Sequence, residues 1–313
     1  MQSEARIAVL VPCYNEEAAI GKVVADFRES LPKAAIYVYD NASSDHTAEA
    51  ARRAGAVVRM EYRRGKGNVV RRMFADIEAD IYVLVDGDDT YDAAAAPELI
   101  ARLVNDGLDI VSGRREAIGA TAYRFGHAIG NRLLTGLTAF IFRVNLGDML
   151  TGYRVMSRRF VKSFPFTAEG FGVETELTVH AVRLMMPMAE VGTRYKERAE
   201  GSVSKLNTWR DGLRILFTIA GLVREEKPFF FYATIGVVFA LAAIAIGIPV
   251  VFDYVRTGLV PRLPTAVLAT GMVVLASLSV MSGIILDTVT RGRWEQKRMA
   301  YLGIAGPHDL KLP

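Results

Sequence analysis

The sequence predicts an α/β domain with a mostly parallel sheet, followed by two helices that span a membrane. Short apolar runs alternate with helical stretches over residues 1–115, which is typical of a parallel sheet covered by helices on both faces. Two long uncharged apolar runs lie near the C-terminal end of the sequence. Hydrophobic residues make up 51% of the 313 residues, a high share for a purely soluble protein.

The composition narrows the class of ligand. The formal net charge of +4 suits an anionic ligand or an anionic membrane surface. The excess is too small and too scattered to indicate nucleic acid. Cys13 is the only cysteine, so neither an intrachain disulfide nor a cysteine-based zinc site is expected.

The apolar runs predict five strands, and the stretches between them predict four helices. The predicted strands are Ile7–Val11, Ile36–Tyr39, Val57–Met60, Ile81–Val85 and Ile110–Ser112. The predicted helices are Glu17–Ser30, Asp45–Ala54, Gly67–Ala79 and Ala95–Asp106, and Ser43 or Ser44 is the expected N-cap of the second. In such a sheet, ligands bind beyond the carboxyl ends of the strands.

Two segments in the middle of the chain, 124–143 and 206–223, have apolar residues at helical spacing with basic residues beside them. The uncharged part of the first, Leu133–Phe142, is too short to span a bilayer. Both segments fit amphipathic helices that face a protein core, and both fit helices that lie in the membrane interface. The apolar runs that follow favour the second interpretation.

The two long apolar runs are Phe229–Phe252 and Leu263–Leu286, with 24 residues each. At about 1.5 Å per residue each helix would reach roughly 36 Å, enough to cross about 30 Å of hydrocarbon. Basic residues concentrate outside the pair and are sparse in the connecting loop, so the positive-inside rule predicts that both termini are cytoplasmic. The predicted parts are a cytosolic domain (1–205, with the interface helix at about 124–143), a juxtamembrane helix (206–227), two spans (228–287) and a cytosolic tail (288–313).

The stretch YVLVDGDDTYD places four carboxylates directly after the fourth predicted strand. Asp86 and Asp88 stand at alternate positions, where two hard oxygen ligands can share Mg²⁺ or Mn²⁺. Gly87, between them, leaves room for a ligand near the backbone. Asp89 and Asp92 fit a turn and the start of the next helix, where negative charge is favourable. Alone, the pattern also fits a polar turn after a strand.

Three other predicted strands also end in polar motifs. VPCYNEE (Val11–Glu17) ends the first strand and YDNASSDHT (Tyr39–Thr47) ends the second. RRGKGN (Arg63–Asn68) follows the third and sets Lys66 between two glycines, which suits an anionic or nucleotide ligand. Because the carboxyl ends of parallel strands meet at one edge, these motifs predict a single site for a cation and an anionic ligand.

In this order and spacing, VPCYNEE, DNASSD, GKG and DGDDTYD resemble family-2 inverting glycosyltransferases of the GT-A (Rossmann-like) fold, over about residues 5–210. SGRR, DMLTGYRVMSRR and RAEGSVSK resemble the polyprenyl-phosphate branch of that family. This branch includes dolichol-phosphate mannose synthases and the bacterial polyprenyl-phosphate glucosyltransferases. The bacterial glucosyltransferases join a cytosolic GT-A domain to two transmembrane helices, which is the layout predicted for this chain.

The resemblance implies residues for the donor and the metal. Asp86 and Asp88 would hold Mg²⁺ or Mn²⁺ together with the diphosphate of a nucleotide sugar. Arg198 and Lys205 would close over the donor phosphates, although RAEGSVSK is one residue longer than the RxxGxSK of some relatives. The other implied donor-binding residues are Pro12, Tyr14, Glu16, Val38, Asp40, Lys66 and Gly87.

The resemblance also implies residues for the acceptor. Arg114 and Arg124 match positions that meet the acceptor phosphate, with Arg132 as an alternative to Arg124. Asp148 could approach the site as a third carboxylate, to orient the acceptor or tune the metal, or it could be a polar residue satisfied locally. A lipid phosphate needs no strong base, since its second pKa is about 6. Glu174 and Glu176 are further carboxylates that could line the site.

The predicted function is inverting transfer of a sugar from a nucleotide sugar to polyprenyl (undecaprenyl) phosphate, at the inner membrane, for cell-envelope glycans. The two-span relatives favour UDP-glucose as the donor, while UDP-GlcNAc, UDP-galactose and GDP-mannose stay open. The relatives also suggest a tetramer.

Three alternative functions compete with this prediction. A processive polysaccharide synthase usually carries QxxRW, and TRGRW (Thr290–Trp294) lacks the glutamine. A nicotinamide-dependent dehydrogenase needs a glycine-rich turn after its first strand, and the residues after this first predicted strand, PCYNEE, contain no glycine. The third alternative is a non-enzymatic membrane partner protein. It predicts that the Asp88→Ala variant keeps its full function in cells.

Overall fold

The computed structural model describes residues 4–117, 147–165, 172–196, 220–221 and 223–312. The chain divides into two compact units, Met1–Gly212 with Gln296–Pro313, and Leu213–Glu295. Several predicted features lie outside the described residues. They are the segment 124–143, most of the segment 206–223, Arg124, Arg132, Arg198 and Lys205.

The described part of the first unit contains a seven-stranded sheet with the order β3-β2-β1-β4-β6-β5-β7. Strands β1 to β4 pair in parallel, β6 runs antiparallel to both β4 and β5, and β5 and β7 are parallel. The predicted fold class, an α/β domain with a mostly parallel sheet, is therefore confirmed. The strands are β1 Ile7–Cys13, β2 Ala35–Asp40, β3 Val57–Met60, β4 Ile81–Leu84, β5 Ile110–Ala117, β6 Arg154–Ser157 and β7 Met188–Tyr195.

The central strands read as continuous apolar runs because helices cover both faces of the sheet. Val9, Leu10 and Val11 of β1 have no exposed surface, and neither does Val83 of β4. Burying a side chain of this size stabilises the fold by about 1.5–3 kcal/mol. The packed centre fixes the strand ends, where the polar motifs begin.

The helices α1 to α4 lie close to the predicted ranges. Helix α1 has the predicted limits, whereas α2 begins at Thr47 rather than at residue 45. The helices are α1 Glu17–Ser30, α2 Thr47–Arg53, α3 Lys66–Asp76, α4 Ala96–Asn105, α5 Arg158–Ser163, α6 Val173–Arg183, α7 Pro228–Thr257 and α8 Leu263–Leu302, with short 3₁₀ turns at Ala93–Ala95 and Pro307–Asp309.

The predicted N-cap of α2 is wrong. The residue before α2 is His46, which makes no side-chain cap bond. The two serines bond to the loop after β1 instead. The Asn15 amide donates to Ser43 Oγ at 2.9 Å, and the Ser44 amide donates to Asn15 Oδ1 at 2.8 Å. This tertiary contact uses the polar groups that local sequence would assign to the helix end.

Strands β6 and β7 were not predicted from the sequence. Strand β6 is only four residues long, begins at Arg154, and is buried at every position. A buried arginine breaks the apolar run by which a central strand is recognised. Strand β5 also extends beyond its predicted end, because it pairs with β7 as far as Ala117.

The second unit contains two helices that are long and apolar enough to cross a membrane. Helix α7 has 30 residues and α8 has 40, and each contains an uncharged apolar run of 24 residues. Small residues let the two helices approach closely. A Cβ added to Gly236 would lie 3.0 Å from the Ala276 carbonyl oxygen, and one added to Gly283 would lie 3.2 Å from Phe229 Cα.

Helix α8 extends past the predicted span, and its last residues belong to the first unit with the C-terminal segment, residues 296–313. The Tyr301 hydroxyl donates to Asp109 Oδ2 at 2.8 Å. Arg159 bonds to the same carboxylate at 2.5 and 2.8 Å, and its guanidinium lies 4.7 Å from the Tyr301 ring centroid. The Ala5 amide donates to the Lys311 carbonyl at 2.8 Å. The C-terminal segment is thus part of the α/β unit.

We expect Tyr301→Phe to lower the free energy of unfolding of this unit by about 1–2 kcal/mol, because it removes a hydrogen bond to the charged Asp109 carboxylate. Thermal unfolding of the detergent-solubilised protein measures the effect. Tyr62→Phe is the control, since Tyr62 is 79% exposed and its change should stay within about 0.5 kcal/mol. Equal shifts for both variants would contradict the predicted contact.

Candidate active site

The four polar motifs lie at the carboxyl ends of β3, β2, β1 and β4, which are neighbours in the sheet. The parallel register places Cys13 beside Asp40, and Asp40 beside Met60. The loops that follow these strands therefore share one edge, as the sequence predicted. This edge is the candidate active site.

The loop after β2 organises the loop after β3. Asp40 is 2% exposed and accepts hydrogen bonds from the amide and the hydroxyl of Ser43. The Asn41 amide group donates to the Glu61 and Arg63 carbonyls at 2.9 and 2.7 Å, and Asn41 Oδ1 accepts from the Gly65 amide at 2.7 Å. Asn41 was not predicted from the sequence as a site residue. Its position in the sequence could have indicated this role, because the Asn41 side chain directly follows Asp40, the last residue of β2.

The predicted nucleobase residues on β1 and β2 differ in exposure. The guanidinium carbon of Arg64 lies over the Tyr14 ring, 5.4 Å from the ring centroid. Glu16 is half-buried, and its amide donates to Thr47 Oγ1 at 2.9 Å. Pro12 is also half-buried, whereas Val38 has no exposed surface. Val38 therefore supports this edge by packing and presents no surface of its own.

Three non-glycine residues with positive φ lie in these loops. They are Asn15, Ala42 and Asp89, with φ values of 53°, 56° and 56°. Each such conformation costs on the order of 1–2 kcal/mol, and it persists only where surrounding contacts hold it. Their concentration at one sheet edge is typical of a preorganised functional site.

The acidic pair follows β4. Asp88 is 4% exposed, and its Oδ1 accepts from the Thr90 hydroxyl at 2.6 Å. The Asp86 side chain is 31% exposed. A Cβ added to Gly87 would lie 2.6 Å from Cys13 Sγ, so the sulfur occupies the space that the glycine leaves. The structure thus gives Gly87 a packing role between the two aspartates.

Lys66 connects Asp86 to a carboxylate from a distant helix. Its Nζ lies 2.5 Å from Asp86 Oδ1 and 2.5 Å from Glu174 Oε1, at the start of α6. Burial acts to lower the pKa of Lys66, but the charges of Asp86 and Glu174 outweigh it, and the pKa is raised. Gly65, with φ of 121°, makes the turn that starts α3 at Lys66. Glu174 thus joins the site, as the sequence allowed.

The chain before β6 packs directly on Asp86. A Cβ added to Gly152 would lie 2.3 Å from Asp86 Oδ2. The Gly152 amide donates to the Tyr91 hydroxyl at 2.7 Å, and burial raises the pKa of Tyr91. Arg154 is 1% exposed and donates to the Met149 and Thr151 carbonyls at 2.7 and 3.2 Å. These bonds fix the backbone that borders the acidic pair.

Asp148 makes a two-pronged ion pair with Arg115, with N–O distances of 2.7 and 2.8 Å. Arg115 lies on the opposite side of β5 from Arg114, because side chains alternate along a strand. Arg114 is half exposed and bonds to Glu116 at 2.8 Å. The Arg115 guanidinium lies 5.6 Å from the Tyr195 ring centroid. Arg114 was predicted from the sequence and Arg115 was not, although the alternation of side chains along a strand could have indicated it.

The remaining polar residues of the motif have local roles. Asp92 Oδ1 accepts from the Ala94 amide at 3.1 Å, so the predicted helix-start role is confirmed. Asp89 pairs with Lys22 at 3.1 Å in the turn. His180 packs against Phe160 and Phe164, and burial lowers its pKa to about 3, so it is a neutral core residue.

The donor set at this edge fits a hard divalent cation that a ligand helps to hold. Asp86 and Asp88 supply carboxylate oxygens, the ligand type that Mg²⁺ and Mn²⁺ prefer. Among the described residues, no group of three or more His, Cys, Asp or Glu side chains is placed to hold a metal ion. Two carboxylates plus phosphate oxygens from a bound ligand are a usual set for such cations.

The fold and this edge together define an α/β enzyme whose site suits a cation and a phosphate-bearing ligand. The sequence profile described as "Glycosyl transferase family 2" matches residues 8–164. The chain belongs to this family. It is a glycosyltransferase of the GT-A fold, as the sequence predicted.

Relatives cover most of the chain. The glycosyltransferase AglJ of Haloferax volcanii is 30% identical over 294 residues, which are 93% of this chain and 96% of the relative. A dolichyl-phosphate hexose transferase of the same organism is 33% identical, over 71% of this chain and 95% of the relative. Glucosyl-3-phosphoglycerate synthase from Mycobacterium tuberculosis, solved with Mn²⁺, UDP and phosphoglyceric acid, superposes with a TM-score of 0.56 at 25% identity, covering 70% of this chain and 78% of that one.

Proposed function

We propose that this protein transfers a sugar, with glucose from UDP-glucose favoured, to a polyprenyl phosphate such as undecaprenyl phosphate, at the cytosolic face of the inner membrane. One observation carries the proposal: a single chain joins a family 2 site to two helices of membrane-spanning length and hydropathy. A hydrophobic acceptor and a water-soluble donor have to meet at a membrane surface. The relative that is a dolichyl-phosphate hexose transferase supports a lipid-phosphate acceptor.

The donor would bind along the edge formed by the four loops. Tyr14, Asp40 and Glu16 are proposed to hold the nucleobase and ribose. Asp86 and Asp88 are proposed to hold Mg²⁺ or Mn²⁺ with the diphosphate. When bound, the cation would offset charge that develops on the leaving diphosphate. The Mn²⁺ and UDP of the mycobacterial structure support this assignment. Arg198 and Lys205 are proposed to close over the donor phosphates.

The proposed reaction is a single in-line displacement. An oxygen of the lipid phosphate attacks the anomeric carbon from the face opposite the nucleotide. The bond from that carbon to the diphosphate oxygen breaks as the new carbon–oxygen bond forms, so the anomeric configuration inverts. No strong general base is required, because the second pKa of a phosphate monoester is about 6 and the attacking oxygen is already anionic at pH 7.

The acceptor phosphate is proposed to meet arginines at the β5 side of the site. Arg114 and Arg124 come from the sequence resemblance. Arg115 is an alternative to Arg114, since the two side chains lie on opposite sides of β5. Arg115 is held by Asp148 through two short bonds. We therefore assign Asp148 an orienting role through Arg115, in preference to proton abstraction.

Transfer assays on the full chain in detergent or vesicles test the function. Labelled UDP-glucose, UDP-GlcNAc, UDP-galactose and GDP-mannose are each offered with undecaprenyl phosphate, with Mg²⁺, Mn²⁺ or EDTA. We expect metal-dependent formation of a lipid-linked sugar from UDP-glucose, abolished by EDTA. Phosphoglyceric acid in place of the lipid tests a soluble acceptor. Absence of transfer from every donor would contradict the proposal and favour a non-enzymatic membrane role.

We expect Gly152→Ala to slow sugar transfer by about a hundredfold, because displacing a metal-binding carboxylate by about 1 Å has an effect of that order. The added methyl group would overlap Asp86 Oδ2. Initial rates at saturating donor measure the effect. Gly21→Ala is the matched control, since a Cβ there meets nothing within 4 Å. Unchanged activity in Gly152→Ala would contradict the expected displacement of the Asp86 carboxylate.

A further inference from the structure

The inference concerns the cluster formed by Lys66, Asp86 and Glu174. These residues come from the start of α3, the loop after β4 and the start of α6. Nζ of Lys66 lies 2.5 Å from one oxygen of each carboxylate. The side chains of Lys66 and Glu174 are 15% and 10% exposed, while Asp86 is 31% exposed. The ammonium group therefore contacts Asp86, the more exposed carboxylate of the acidic pair.

The charge of the cluster sets the affinity of Asp86 for a free cation. One ammonium and two carboxylates leave a formal charge of −1 over the three side chains. A divalent cation that approaches Asp86 must displace the Lys66 ammonium or bind beside it, and both are unfavourable between like charges. Among the described residues, no three His, Cys, Asp or Glu side chains are grouped so that they could hold a cation by themselves.

We propose that Lys66 stands in for the divalent cation while the donor is absent, so that the cation binds tightly only together with the donor diphosphate. This inference rests on the proposed function, since it assumes that Asp86 and Asp88 receive the metal and the diphosphate. The diphosphate supplies the oxygens and the negative charge that the cluster lacks. Glu174 keeps a partner for the Lys66 ammonium when Asp86 turns to the metal. Lys66 and Glu174 are thus positioning residues for the order of binding.

The experiment measures Mn²⁺ binding to the full chain in detergent, with and without UDP, by the loss of the electron paramagnetic resonance signal of free Mn²⁺. In the wild type, UDP should raise the affinity for Mn²⁺ by about tenfold or more. Lys66→Met should raise the affinity for Mn²⁺ without UDP by about tenfold and shrink the gain from UDP. Glu174→Gln should lower the affinity without UDP, because Asp86 becomes the only charged partner of Lys66 in the cluster.

Two further variants test whether the effect comes from Lys66 itself or from a change in charge. Lys66→Met/Glu174→Gln keeps the formal charge of the cluster at that of the wild type, and it should still bind free Mn²⁺ more tightly. Lys66→Met alone leaves the carboxylates of Asp86 and Glu174 without their shared ammonium group and could fail to fold for that reason. The double variant removes one of the two charges, so the test still works in that case. Lys162→Met is the matched control, because Lys162 is a 19% exposed lysine that pairs with Glu78 at 2.7 Å. It should leave Mn²⁺ affinity unchanged.

The outcomes separate the inference from the function on which it rests. If Lys66→Met and the double variant bind free Mn²⁺ no more tightly than the wild type, the role of Lys66 is overturned. An equal gain in Lys162→Met would also overturn it, since the effect would then follow net charge alone. If neither the wild type nor any variant binds Mn²⁺ in the presence of UDP, the proposed donor site itself is wrong.

Discussion

Asp88→Asn is expected to reduce sugar transfer by at least about a hundredfold, the size of effect seen when one group that stabilises developing charge is removed. Asp88 is one of the two carboxylates proposed to hold the cation and the donor diphosphate. Asparagine has nearly the same shape and can still accept the Thr90 hydroxyl bond, which is 2.6 Å long in the wild type. The fold should therefore persist while the negative charge is lost. Transfer rates and the melting temperature of the same preparation measure the two effects separately.

Asp92→Asn is the control for this prediction. Asp92 lies in the same motif but caps the following 3₁₀ turn through its bond to the Ala94 amide. Asparagine serves equally well as a cap, so transfer should stay close to that of the wild type. Full transfer activity in Asp88→Asn would contradict the assignment of Asp88 to the donor site.

Asp148→Ala is expected to lower the free energy of unfolding by about 3–5 kcal/mol, the usual cost of removing one partner of a buried ion pair. The side chains of Asp148 and Arg115 are 5% and 16% exposed, so the arginine would lose a partner where water cannot replace it. Chemical or thermal unfolding of the solubilised protein measures the loss. Because this carboxylate is also proposed to orient the acceptor site, transfer should fall together with stability.

A second pair and a double variant test whether the effect comes from burial. Asp26→Ala removes a partner of Lys22 in a pair whose side chains are 53% and 35% exposed, and it should cost at most about 1 kcal/mol. Arg115→Met/Asp148→Leu should regain most of the stability lost in Asp148→Ala, since apolar residues can replace a buried pair. A fully stable Asp148→Ala with low activity would instead favour a direct chemical role for Asp148.

The hydrophobic pattern of the sequence identified the early strands and helices well, including the four-residue strands β3 and β4. Strand β3 and helix α1 have the predicted limits, and β1, β2 and β4 differ by one or two residues at their ends. The prediction failed where tertiary contacts replaced local signals. Strand β6 begins with a buried arginine, and the serines after β2 bond to Asn15 rather than cap α2.

The site was predicted unevenly for the same reason. Asp86 and Asp88 follow a strand and form a motif that can be read along the chain. Lys66 could also be singled out, because it stands between two glycines after a strand. Lys66 and its partner Glu174 are 108 residues apart in the sequence, and no local pattern indicates a pairing of that kind.

By itself, the sequence determined the α/β class, the two apolar helices and the set of polar strand ends. Hydrophobic periodicity and strand-end chemistry are local properties, so they can be read without coordinates. Only the tertiary structure decided which charged groups neutralise one another. It placed Arg115 against Asp148, Glu174 against Lys66, and the C-terminal segment against Asp109. These pairings depend on which side chains the packed sheet brings within about 3 Å, and that proximity is set by the whole fold.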